Sequence, residues 1–318
     1  MSDRPKVLQI GKLLDFMDGR LADGFEVMHL PESGQADFLA QHGAGIEAVV
    51  TTKGVAPEVM AGLPDLKVIS SFGVGYDGID AEAAAKRGIL VANTPDVLND
   101  EVADTAVLLW LMVSRRAVPA ERWARSGDWE AKGAFPLTRS VRGRTVGIVG
   151  LGRIGTTIAE QVGMFDAEVV YHSRSKKDAP YRYYPDLVEM ARDADVLIVI
   201  TPGGDETKHL IGKEVLEALG PEGTLINVAR GSVVDEAALV AALQAGKLGA
   251  AGLDVFEEEP RIPQALKTMD NVVLLPHVGS ATVETRAAMG NLVCDNLDDW
   301  RTTGRVRTPV VECKSLNG

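Results

Sequence analysis

Short apolar runs alternate with helical patterns along most of this chain. In the first third, 7–10, 25–30, 48–51, 68–71 and 90–92 are short, mainly apolar runs of strand length. Between them, 35–42, 57–63 and 80–87 repeat their apolar positions at helical spacing. Strand and helix in alternation predict a parallel sheet with helices on both faces. Ala92-Asn93-Thr94-Pro95 closes this unit, because Pro95 disfavours helix in the residue before it.

A helix over 100–118 follows, apolar nearly all round in its middle, so it is expected to be buried inside the fold or against a second subunit. The stretch 123–136 carries two tryptophans and Phe135 among charges and glycines, which suits an arm exchanged between subunits. A second set of strands then reads at 145–149, 168–171, 196–200, 224–228, 250–253 and 272–275. Asp235 is placed to cap a helix over 236–245, and Gly246 stands where a C-terminal glycine belongs. A last helix, from Thr282 to about Arg301, is expected to cross back and complete the first unit. The expected fold is α/β, with two doubly wound parallel-sheet domains. A Rossmann dinucleotide-binding domain over 98–284 is inserted in a flavodoxin-like substrate domain formed by 1–97 and 285–318.

The inserted domain is organised around Thr145 to Gly155, TVGIVGLGRIG, a buried strand running into a glycine turn and a helix. Gly150 permits the tight turn, Gly152 lets the backbone approach a pyrophosphate, and Gly155 lets helix and strand pack closely. Leu151, Arg153 and Ile154 complete the turn, whose helix N-terminus offers N–H groups and a positive dipole end to phosphate. At the end of the next strand, where an NAD-selective site carries a carboxylate for the ribose, stand Ser173, Arg174, Ser175, Lys176 and Lys177. Two hydroxyls among three cations suit a 2′-phosphate, which Arg174 can grip with its planar fork, so NADPH is expected in preference to NADH.

Composition narrows the classes. At 318 residues the chain has room for two cores, and its net charge of -12 argues against a nucleic-acid or anionic-membrane surface. Cys294 and Cys313 are the only cysteines and form no C-x-x-C pair, which fits a cytoplasmic home and no thiolate metal site. The opening MSDRPKVLQIG lacks the apolar region of a signal peptide, and no run approaches the ~18 apolar residues of a membrane span.

In open parallel sheets ligands bind beyond the carboxyl ends of the strands. There the sequence places Arg230 after the strand at 224–228, Asp254 and then Glu257, Glu258 and Glu259 after 250–253, and His277 after 272–275. Singly each has a plain structural reading: a paired arginine, a solvated acidic turn, a structural histidine. Together, on adjacent strand ends beside a dinucleotide turn, they point to a catalytic site. In the first unit, Ser71-Phe72-Gly73-Val74-Gly75 exposes backbone N–H groups able to receive a carboxylate.

These residues carry a family resemblance. From about Ala48 to Pro309 the chain resembles the D-isomer-specific 2-hydroxyacid dehydrogenases, with GIVGLGRIG, NVARGSVVDEAAL, GLDVFEEEP and LLPHVGSAT all present in order. Within the family, SSFGVGYDGID, NTPDVLNDEVAD, YHSRSKK and LLPHVGSATVETR look most like the NADPH-dependent glyoxylate and hydroxypyruvate reductases, including those that reduce hydroxyphenylpyruvate. The resemblance implies Arg230, Glu259 and His277 as catalytic residues and Asp254 at the nicotinamide end of the cofactor. It adds Thr105, Thr201, Pro202, Thr207, Val228, Ala229 and Gly279 to the cofactor site, and it implies a substrate site of Lys53, Val74, Gly75 and Arg230. Arg230 would also polarise the keto oxygen, and His277 would donate a proton to the developing alkoxide. Glu259 beside it would fix the ring and support its charged form. No metal is called for, and a homodimer is expected from the apolar helix and the aromatic arm. Two other readings compete: an NADH-dependent enzyme of D-lactate or D-3-phosphoglycerate type, and a non-enzymatic dinucleotide-sensing protein resembling the corepressors on this fold. The cationic 173–177 cluster argues against the first, and the want of a long disordered tail against the second.

Overall fold

The computed structural model describes residues 4–318, and the polar lead before Arg4 lies outside the described residues. The chain divides into two compact units, one running to Leu98 and resuming over Thr282–Gly318, the other spanning Asn99–Ala281.

The first unit contains β1 (Lys6–Ile10), α1 (Asp15–Gly24), β2 (Glu26–His29), α2 (Gln35–His42), β3 (Ile46–Thr51), α3 (Pro57–Ala61), β4 (Val68–Ser71), α4 (Ala81–Lys86) and β5 (Leu90–Ala92). Its strands pair in the order β2-β1-β3-β4-β5, every pair parallel. That is the flavodoxin-like order. The central strands are mostly buried on both faces, β4 along its whole length with Ser70 and Ser71 included, as a parallel sheet covered by helices requires. Helix α1, unmarked in the sequence reading, buries only Met17 and Leu21, one turn apart.

The second unit begins with α5 (Asn99–Ser114), α6 (Ala117–Arg125) and α7 (Asp128–Lys132). The single helix expected over 100–118 therefore ends early. Arg116 takes a left-handed conformation at φ 47° and breaks it, and Pro119 then lies in the first turn of the new helix, where it is tolerated. Nor is α5 buried all round: Leu108 is exposed. In the arm, Trp123 meets Phe135 edge-on with ring centroids 5.8 Å apart, while Trp129, and Leu137 just past the arm, stay exposed.

The remainder is β6 (Thr145–Val149), α8 (Arg153–Gly163), β7 (Glu168–His172), β8 (Arg182–Tyr183), α9 (Leu187–Asp193), β9 (Val196–Val199), α10 (Lys213–Leu219), β10 (Thr224–Asn227), α11 (Glu236–Gln244), β11 (Ala250–Leu253) and β12 (Val272–Leu274). The sheet order is β12-β11-β10-β9-β6-β7-β8, again all parallel. Numbered from β6, this is the 3-2-1-4-5-6 Rossmann order with one further strand. The expected fold class holds in both units. The Asp235 carboxylate caps α11 by accepting from the Ala238 N–H at 2.9 Å, and Gly246 follows the helix at φ 65°.

Helix α12 (Val283–Thr303) packs in the first unit, where the Ser70 hydroxyl donates to the Val293 carbonyl at 3.1 Å. No helix among the described residues is long and apolar enough to cross a membrane.

Candidate active site

The glycine turn is built as its spacing requires. Gly150 has φ 106°, and a Cβ there would lie 2.9 Å from the Ile200 carbonyl oxygen. A Cβ on Gly155 would lie 2.1 Å from the Gly150 carbonyl oxygen, so only glycine lets α8 start this close to β6. Gly152 differs: a Cβ there would meet nothing of the protein within 4 Å. It stands at the N-cap of α8 with no side-chain cap, which leaves its helix-end N–H groups for a ligand. The turn thus fits a pyrophosphate. Helix α8 buries Gly155, Ile158, Ala159 and Val162, one helical face, against the sheet. Leu151 beside the turn is buried.

Beyond β7 the loop at 173–177 is tied to a buried phenol. The Tyr171 hydroxyl accepts from the Lys177 N–H at 2.8 Å and donates to the Lys177 carbonyl at 3.1 Å. Ser173 donates to the Ser175 carbonyl at 2.7 Å. Arg174 stands in solvent and pairs with Glu206 at 3.1 Å. Beyond β9, Thr201 and Thr207 both donate to the Pro202 carbonyl, at 2.9 and 2.7 Å. These hydroxyls shape the loop that carries Glu206.

At the end of β10 the organising residue is Asn227, which the sequence reading passed over. It is buried; its Oδ1 accepts from the Ala229 N–H at 3.1 Å and its Nδ2 donates to the Arg230 carbonyl at 3.1 Å. An amide satisfied at both ends fixes the backbone that presents Arg230. Val228 and Ala229 are buried below it. A buried polar amide as the last residue of an apolar strand was the available signal.

Asp254 directly follows β11 and is 2% exposed. Its two oxygens accept from the Val278 and Gly279 N–H groups at 2.7 and 2.8 Å, and its carbonyl accepts from the His277 N–H at 2.8 Å. In this structure, then, Asp254 holds the turn on which His277 sits. Burial pushes its carboxyl upward, against those hydrogen bonds and the nearby His277. His277 itself takes φ 55°, a conformation that histidine tolerates better than most residues. Thr105 lies alongside, its hydroxyl 3.4 Å from the Gly279 carbonyl.

Glu259 joins the two. One oxygen accepts from the Phe256 N–H at 3.0 Å and the other meets His277 Nδ1 at 2.7 Å. A carboxylate can only accept, so Nδ1 carries the proton and Nε2 is left for chemistry. Burial raises the Glu259 carboxyl, but the hydrogen bonds from His277 and Phe256 and the charges of His277 and Arg230 outweigh it, and the net shift is downward. With its folded value depressed, Glu259 lends its stabilisation fully above the ordinary carboxylate range and loses it as pH falls through the lowered value.

In the first unit the loop after β4 is equally defined. The Asn93 Nδ2 donates to the Val74 carbonyl at 2.8 Å, the Thr94 N–H donates to the Gly73 carbonyl at 2.9 Å, and Gly73 has φ 153°. Gly75 follows in the same loop. The Lys53 N–H donates to the Thr51 hydroxyl at 3.0 Å, beyond the end of β3.

Against known proteins, residues 107–279 match the profile of the D-isomer specific 2-hydroxyacid dehydrogenase NAD binding domain. A hydroxyphenylpyruvate reductase of Plectranthus scutellarioides is 46% identical over 96% of this chain and 98% of its own. Arabidopsis thaliana glyoxylate/hydroxypyruvate reductase A HPR2 is 43% identical over the same shares. Among solved structures, an NADPH-dependent glyoxylate/hydroxypyruvate reductase from Sinorhizobium meliloti, in complex with NADP and malonate, superposes with a TM-score of 0.94 at 48% identity, covering 98% of both chains.

Proposed function

The chain belongs to the D-isomer specific 2-hydroxyacid dehydrogenase family, and from that premise we propose that it reduces a small 2-oxo acid to the D-2-hydroxy acid with NADPH. Glyoxylate, hydroxypyruvate and hydroxyphenylpyruvate are the substrates for which the relatives are named. The observation that carries the proposal is the His277–Glu259 pair at 2.7 Å, set on the same sheet edge as Arg230 and in the same unit as a glycine turn left bare for pyrophosphate.

A bound nicotinamide cofactor supplies the hydride to the keto carbon. The C=O π pair moves onto oxygen, and His277 gives that oxygen its proton, completing the hydroxyl. Glu259 holds the imidazole in the tautomer and orientation that this needs, and its carboxylate balances the charge the ring carries beforehand. The fixed positive charge of Arg230 stabilises the developing oxyanion. Asn227 and Asp254 keep the two presenting turns in place.

The preference for NADPH rests on Arg174 with Ser173, Ser175 and Lys176, the loop shaped around Tyr171. Arg174 pairs with Glu206, an exposed contact worth little in water, which a 2′-phosphate, carrying more charge, would displace. Arg174→Ala is expected to weaken NADPH binding about tenfold, the scale of one charged hydrogen bond, and to leave NADH binding unchanged. Equal losses for both cofactors, measured by fluorescence titration, remove Arg174 from the 2′-phosphate site. A homodimer is part of the same proposal, supported by Leu108, Trp129 and Leu137 exposed along α5, in the arm and just past it.

The deciding experiment follows NADPH and NADH absorbance separately, with glyoxylate, hydroxypyruvate, hydroxyphenylpyruvate and pyruvate. Rapid NADPH oxidation with one of the first three is expected. Binding of NADPH without oxidation by any of the four overturns the proposal.

A further inference from the structure

The segment that carries Glu259 is gripped by a second histidine. His209 Nε2 lies 2.7 Å from Glu257 Oε1, the same separation as between His277 and Glu259 two residues on. As with His277, a carboxylate partner makes the histidine nitrogen the donor, here Nε2. Both histidines hold positive φ, 53° for His209 and 55° for His277. Such backbone is uncommon outside glycine and strained, so surrounding contacts must enforce it.

For His209 those contacts come from the segment that presents Arg230. The His209 N–H donates to the Ser232 carbonyl at 2.8 Å, the Ile211 N–H to the Val233 carbonyl at 3.0 Å, and the Asp235 N–H to the Ile211 carbonyl at 3.0 Å. The backbone of His209 is therefore stitched to the loop after β10, while its ring reaches the loop after β11. Gly231 lies directly against the peptide joining Phe256 and Glu257, which a Cβ would meet at 1.9 Å. Phe256 in turn donates its N–H to Glu259. A continuous path runs from the His209 ring through Glu257 and the adjoining peptide to Glu259 and so to His277.

The charge pattern gives the clamp a purpose. Glu257, Glu258 and Glu259 are consecutive, and Glu236 approaches from α11, its Oε2 accepting from the Glu257 N–H at 3.4 Å. Like charges at this spacing push the segment apart unless each has a partner. Each of the three consecutive glutamates does: Arg261 pairs with Glu258 at 3.2 Å, His277 with Glu259 and His209 with Glu257. Arg261 is a neighbour on the same stretch, whereas His209 ties the stretch to the loops after β9 and β10.

We propose that His209 is a positioning residue for the reaction, holding Glu257 so that Glu259 keeps its grip on His277. The inference rests on the reading of His277 and Glu259 as the proton-transfer pair, and the experiment separates the two. Turnover, NADPH affinity and folded content would be measured for His209→Ala, His209→Gln, Glu257→Gln, the double variant His209→Ala/Glu257→Gln, and His277→Ala.

His209→Ala and Glu257→Gln are each expected to lower kcat about tenfold, short of the hundredfold that a full 1 Å misplacement can cause. The double variant is expected to lose no more than either single one, because both cut the same link. NADPH affinity stays near wild type. His209→Gln regains most of the turnover, since its amide N–H reaches close to where Nε2 stood. The near-isosteric Glu257→Gln tests the link even if His209→Ala folds poorly. Wild-type kcat in His209→Ala beside an inactive His277→Ala overturns the inference and leaves the catalytic reading standing. An active His277→Ala overturns the reading beneath it. Additive losses in the double variant, or lost NADPH affinity with kcat intact, also overturn the inference.

Discussion

Replacing His277 by alanine is expected to lower kcat by about 10²- to 10⁴-fold, the contribution typical of a positioned general acid, with NADPH affinity little changed. The residue sits at φ 55° with its N–H bonded to the Asp254 carbonyl, so a loss of activity from the alanine variant alone would mix chemistry with backbone strain. His277→Asn separates them. Asparagine tolerates the left-handed conformation, and its side-chain N–H can take the place of Nδ1–H toward Glu259. It cannot deliver a proton. Both variants should therefore be comparably inactive, while only the alanine variant loses stability. An asparagine variant that turns over at the wild-type rate would show that His277 does no more than hold the turn. Stopped-flow NADPH oxidation with the best 2-oxo acid, beside thermal melts of both proteins, reads the two effects independently.

The parts of this molecule that were legible in its sequence are those governed by local rules. The two-sided burial of β9 shows in the unbroken apolar run VLIV, and Gly150 and Gly155 stand where close backbone approach demands glycine, with Gly152 open between them. Caps at Asp235 and Gly246 fell where side-chain chemistry put them. The parts that were not legible depend on contacts between distant residues. Asn227 shows in the sequence only as a polar end to an apolar strand, and its role depends on the amide being bonded at both ends to the Arg230 turn. Both carboxylate oxygens of Asp254 hold the 278–279 backbone, a contact that no spacing rule announces. His209 gave no sign of its partner 48 residues away. The break at Arg116 was missed because the apolar pattern of α5 runs on past it, and only Pro119 marked a new helix start. Local physics thus marked the strand ends that carry Arg230, Asp254 and His277, while the contacts that hold their turns emerged only from tertiary structure.

Two glycines divide this protein's requirements between folding and binding, and alanine at each is expected to fail differently. At Gly231 a Cβ would fall 1.9 Å from the Phe256 carbonyl carbon and oxygen and 2.3 Å from the Glu257 nitrogen. All three are backbone atoms, so no side chain can turn aside, and the loops after β10 and β11 must part. Overpacking in a close-packed interior costs about 1–3 kcal/mol, and a backbone clash sits at or beyond the upper end. The same parting moves Phe256, whose N–H holds Glu259, away from its place. A shift of about 1 Å there suffices for a loss of about 10²-fold in turnover. Gly231→Ala should therefore lower both melting temperature and kcat while still binding NADPH, because the dinucleotide turn is built elsewhere. At Gly152 the added Cβ meets nothing of the protein within 4 Å. Gly152→Ala should melt like wild type and bind NADPH poorly, since the methyl occupies the space a pyrophosphate would take. Melting curves and NADPH titrations on the two variants decide the matter. If Gly152→Ala binds normally, the bare helix end is not the phosphate site; if Gly231→Ala keeps its stability and rate, the close approach of the two loops is not what sets Glu259 against His277.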